Sequence, residues 1–73
     1  MDERVQQRVM HLFAKATALL EDAHTAAATG QSSRLSMRRY RKAADELRSA
    51  GTQLAILATA IDKVLGPRHT GSL

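Results

Sequence analysis

Apolar residues recur along this chain at alternating spacings of four and three. Val5, Val9, Leu12, Ala16, Leu19, Ala23 and Ala26 form one such series, the seam of an amphipathic helix. Phe13, Leu20 and Ala27 run beside it and widen the stripe. Asp2 is placed to cap this helix, and Glu3 suits the positive end of its dipole. The helix is expected to end near Thr29, with Gly30 as a left-handed C-cap. Gln31, Ser32 and Ser33 supply the turn, and either Ser33 or Ser36 caps a second helix. There the four-three spacing returns through Tyr40, Ala44, Leu47, Gly51, Leu54, Ala58, Ile61 and Leu65, and Gly66-Pro67 stops it. The pattern predicts helices over about 3–29 and 35–65 in a single domain, 1–67, with residues 68–73 as a flexible tail.

Two long helices joined by a short turn make an antiparallel hairpin. The fold class is therefore all-α, a coiled-coil-like hairpin that can also pair into a four-helix bundle. Alternate seam positions are small: Ala16 and Ala23 on the first helix, Ala44, Gly51 and Ala58 on the second. Close backbone approach is the expected reason for Gly51, because mid-helix glycine costs about 1 kcal/mol relative to alanine. A turn centred near residue 32 sets Asp2 and Glu3 near Lys63, Arg4 near Asp62, and Glu21 and Asp22 near Arg41, Lys42 and Arg48. Opposite signs then meet at both ends, which supports the register more than the stability.

One stretch strains this simple picture. Leu54 to Ile61 holds no charge and seven apolar residues out of eight. A helix apolar on most sides needs cover on most sides, and one partner helix covers one stripe. After the seam residues are placed, Ile56, Leu57 and Val64 remain, with Phe13 and Leu20 on the other helix. These five are the predicted protein interface. Either a second copy or a groove on another protein would close it.

Composition sharpens the need for a partner. A chain of 73 residues is marginal alone, and with no cysteine it has neither a disulfide nor a thiolate zinc site. Thirteen of its apolar residues are alanine, which favours helix but buries little area. The charged start, with no signal-like apolar stretch behind it, suggests a cytoplasmic protein with no membrane contact.

Catalytic chemistry is not evident. His11, His24 and His69 are too far apart to share a helical turn, so a solvated role is expected and no metal or cofactor. Glu21, Asp22, Asp45 and Glu46 lack an apolar pocket and read as a solvated face. Phosphate loops and nucleophile elbows are absent, and a two-helix hairpin has no cleft of its own, so an enzyme is not expected. Arg34, Arg38, Arg39, Arg41 and Lys42, with Arg48 further on, gather where the second helix starts. Positive charge there opposes the helix dipole. It makes contact with an anionic partner such as nucleic acid the alternative reading, although only Phe13 and Tyr40 are available for stacking on bases.

Gly30 in the turn, Tyr40 opening the second helix, Glu46 after it and the run Leu54-Ala55-Ile56-Leu57 make a further pattern. Over roughly residues 30 to 65 it resembles the small helical-hairpin co-chaperones of bacterial type III secretion needle subunits. The resemblance implies a non-enzymatic protein that helps a helical-repeat chaperone hold a needle subunit monomeric in the cytoplasm before export. The residues alone leave three functions open: such an adaptor, a homodimeric four-helix bundle binding nucleic acid through the arginines, or a small antiactivator that sequesters a regulatory protein.

Overall fold

A computed structural model describes residues 2–66. It is an all-α hairpin of two helices, α1 over Glu3–Gly30 and α2 over Met37–Leu65, packed against each other. The caps explain the ends. The Arg4 amide donates to Asp2 Oδ1 at 2.9 Å, starting α1. Ser36, not Ser33, caps α2, its Oγ accepting from the Arg39 amide at 3.3 Å. At the far end Gly66 takes φ 90, a left-handed conformation suited to glycine, and its amide donates to the Asp62 carbonyl. Gly30 departs from expectation. It stays helical, and Gln31 caps α1 in a right-handed conformation (φ −83, ψ −8). The Tyr40 hydroxyl donates to the Ser32 carbonyl and ties the connecting segment to α2. The predicted tail, 68–73, lies outside the described residues.

The seam of α1 is as predicted. Ala26 is buried, and Val5, Val9, Leu12, Ala16, Leu19 and Ala23 are half-buried. The seam of α2 is phased differently. Ala43, Ala50 and Ile61 are buried and Tyr40, Leu54, Leu57 and Val64 half-buried, while Ala44, Gly51, Ala58 and Leu65 are exposed. Both phases share Tyr40, Leu54 and Ile61; Leu47, which the spacing also assigns to the seam, is 45% exposed. The difference is whether positions 43, 50, 57 and 64 or their successors turn inward. Leu57 and Val64 carry more apolar area than Ala58 and Leu65, and Ala50 carries more than Gly51. The observed phase therefore removes more apolar surface from water. Gly51 is not a point of close approach within the hairpin, since a Cβ built on it meets nothing within 4 Å.

The register also shifts. Asp22 shares a groove with Glu46, and Thr29 shares one with Arg39 and Lys42. The cause is a later start for α2 and a longer α1, which move the centre of the turn beyond residue 32. The expected cross-helix charge pairs consequently do not form at the turn end. Among the described residues no ion pair joins Glu21 or Asp22 to Arg41, Lys42 or Arg48; Arg48 instead reaches Asp45 on its own helix at 3.8 Å.

Candidate interaction surface

The hairpin has two unlike sides, and helix geometry assigns residues to them. Each residue lies 100° round the helix from its neighbour. A residue just after a seam residue therefore sits on one flank, and a residue just before it on the other. Because α1 and α2 run antiparallel, the trailing flanks of both helices fall on one side of the hairpin and the leading flanks on the other. The grooves agree with this assignment. Ala18, which precedes Leu19, lines one groove with Ile56, which precedes Leu57. Thr25 and Ser49, which precede Ala26 and Ala50, line another.

The leading side is polar and charged. Arg4, Lys42 and Lys63 precede seam residues, and Lys15, Asp22, Arg39, Glu46 and Gln53 line the grooves there. Next to the seam, the trailing side carries Gln6, Phe13, Leu20 and Ala27 from α1 and Ala44, Gly51, Ala58 and Leu65 from α2, each set spaced by seven; further out it carries Met10, Thr17 and His24 from α1 and Arg41, Arg48, Ala55 and Asp62 from α2. The eight next to the seam are all exposed and form an uncharged stripe. Phe13 is 55% exposed and Leu20 56%, values usual for a lone surface residue but not for aligned members of an apolar stripe.

This geometry divides the five predicted interface residues. Phe13 and Leu20 lie together in the uncharged stripe of the trailing side. Ile56, 63% exposed, lies on the opposite, charged side. Leu57 and Val64 belong to the seam between the helices and are half-buried. The five do not form one surface, because the expected phase of α2 placed the seam one residue too far along. The same phase hid Ala44, Gly51, Ala58 and Leu65, which were assigned to the seam. Their spacing of seven, in step with Phe13, Leu20 and Ala27, is the signal that identifies them.

The arginine group stands where the sequence puts it. Arg34 lies in the connecting segment, and Arg38, Arg39, Arg41 and Lys42 occupy the first turns of α2, all exposed. No acidic residue occupies the first turn of α2 to offset them. Arg38, Arg41 and Lys42, at i, i+3 and i+4, share one face of α2, and Arg39 lies to one side of it. Tyr40, the nearest aromatic ring, is half-buried, and its hydroxyl is engaged by Ser32.

Polar groups on the remaining surface are dispersed. His11 and His24 are exposed on α1, and His69 falls outside the described residues. Among the described residues no three His, Asp or Glu side chains gather as a metal site. The hydroxyls of Thr17, Thr25, Thr52 and Thr59 each donate to the carbonyl four residues back, a local bond that ties them to their own helix. No helix among the described residues is long and apolar enough to cross a membrane. Comparison of the chain with protein-family models, with curated proteins and with solved structures found no match.

Proposed function

We propose that this chain is a non-enzymatic, protein-binding helical hairpin, and that its trailing side is the binding surface. The observation that carries the reading is the uncharged stripe of Phe13, Leu20 and Ala27 alongside Ala44, Gly51, Ala58 and Leu65, all exposed. Apolar residues at two seam positions per heptad suit a two-helix seam. A third position per heptad suits a helix that faces a larger core. Both helices carry that third position, and both carry it on the same side. The hairpin's own core is thin: among the described residues Ala26, Ala43, Ala50 and Ile61 are buried, and of these only Ile61 is larger than alanine. One form of this reading follows the resemblance to needle-subunit co-chaperones, with a helical-repeat chaperone as the cytoplasmic partner.

Site-specific photocrosslinking in the native cell tests the reading. A benzoylphenylalanine at position 13 should give protein adducts, and the same probe at Lys15, two residues away on the charged side, should not. Equal adducts from both positions, or none from position 13, would overturn it.

The arginine group supports a second reading, contact with nucleic acid, because exposed Arg34, Arg38, Arg39, Arg41 and Lys42 crowd an unfavourable helix end. Binding to mixed-sequence RNA or DNA that falls linearly with the logarithm of salt concentration would support it. Its absence at low salt would exclude it.

A further inference from the structure

We infer that the occupant of the uncharged stripe on the trailing side is a second copy of this chain, packed with its turn at the opposite end. The inference rests on the functional reading above and names the partner. An interface between identical copies is related by a two-fold axis and must be complementary to itself. The trailing flank of α2 has that property. Read from Met37 through Ala44, Gly51 and Ala58 to Leu65, it runs large, small, bare, small, large, and it reads the same from either end.

Turning one α2 end for end about Gly51 lays Ala44 on Ala58 of the second copy and Met37 on Leu65. Gly51 meets its own counterpart where the backbones come closest. This supplies the reason for a mid-helix glycine that the single hairpin lacks, since the space beyond its Cα is open there. The same rotation turns α1 about a point between Ala16 and Thr17, and Phe13 then lies on Leu20. The grooves show Lys15 and Ala18 level with Gln53 and Ile56, so this point on α1 stands within about one helical turn of Gly51. A single axis therefore serves both helices.

Charge agrees with the arrangement. On the outer edge of the same side, the rotation brings Arg41 toward Asp62 of the other copy and Arg48 toward Ala55, with no like-charged pair opposed. The area is sufficient too. Two helices about 40 Å long, with axes 8–10 Å apart, present roughly 800 Å² on one side, the usual contribution per partner to a stable interface. The product is a four-helix bundle in which adjacent helices run antiparallel.

Two measurements test the inference. Sedimentation equilibrium of the wild-type chain should give twice the 8.0 kDa chain mass. Gly51→Cys should then form a disulfide-linked dimer under mild oxidation, at least ten times faster than an Ile56→Cys control on the charged side. The chain has no native cysteine to interfere, and the open space at Gly51 lets the hairpin accept the side chain. A disulfide needs its Cα atoms within about 7 Å, which this arrangement provides at Gly51 and the parallel alternative, with α2 stacked on α1 of the other copy, does not. A helical monomer at every concentration overturns the second copy and leaves the protein-binding reading to a foreign partner. A dimer whose Gly51→Cys form crosslinks no faster than the control overturns the arrangement. A dimer crosslinked through Ile56→Cys moves the contact to the charged side and overturns both the inference and the functional reading.

Discussion

Ile61 and Ile56 lie five residues apart on α2, and the phase of the seam gives them opposite fates. Ile61 is 7% exposed and is the largest buried side chain among the described residues; Ile56 is 63% exposed. Truncation to alanine removes about three methylene equivalents, or ~2.4 kcal/mol of transfer free energy at ~0.8 kcal/mol each. At Ile61 nearly all of that is lost and a cavity term adds to it, so Ile61→Ala should cost about 2–4 kcal/mol. At Ile56 only about a third of the transfer term applies, water fills the space, and alanine's better helix propensity offsets a few tenths of a kcal/mol. Ile56→Ala should therefore stay within about 0.5 kcal/mol of wild type. A chain of this size has about 4–11 kcal/mol of stability in all, at roughly 0.05–0.15 kcal/mol per residue. With a urea slope near 1 kcal/mol/M, Ile61→Ala should lower the midpoint by roughly 2–4 M or leave no folded baseline. The assay is urea unfolding followed by circular dichroism at 222 nm, at one fixed chain concentration. Equal midpoints for the two variants, or a larger loss at Ile56, would refute the phase of α2 and with it the assignment of the two sides.

Two neighbouring substitutions make the same point with charge. Leu57→Asp puts a carboxylate into the seam and should abolish the helical signal, whereas Ala58→Asp, one residue on, should leave the hairpin helical by circular dichroism. Ser36→Ala removes the α2 cap and should cost about 1 kcal/mol, read as a lower thermal midpoint, with Ser33→Ala as a near-neutral control.

The hairpin itself was legible because its signals are local and redundant. Asp2 before α1, the serines before α2 and Gly66 after it are end markers whose chemistry does not depend on tertiary contacts. On α1 the step from Val5, Leu12, Leu19 and Ala26 reaches Gln6, Phe13, Leu20 and Ala27, and the polar Gln6 is what favours the observed seam. On α2 the step from Ala43, Ala50, Leu57 and Val64 reaches Ala44, Gly51, Ala58 and Leu65, which are apolar or bare as well. Period alone cannot choose between two such phases. The choice follows from summed buried area, in which Leu57 over Ala58 and Ala50 over Gly51 outweigh Leu65 over Val64. The candidate surface inherited that ambiguity. Phe13 and Leu20 were identified correctly as exposed beside the seam, and Ile56 was joined to them across a helix that in fact separates them. The degeneracy has a physical meaning of its own, because a helix with two workable apolar seams is suited to packing on two sides.

The partner is held by the uncharged stripe of the trailing side, and not by the leading side. Native mass spectrometry of tagged chains purified from their own cell tests it most directly, with wild type set beside Leu20→Asp and Ile56→Asp. Circular dichroism on each variant would verify that the hairpin is intact, as expected for residues 56% and 63% exposed. Wild type and Ile56→Asp should carry the same added mass, a second copy or a foreign protein, and Leu20→Asp should be recovered as the bare chain. Partner mass retained on Leu20→Asp and lost from Ile56→Asp would contradict it.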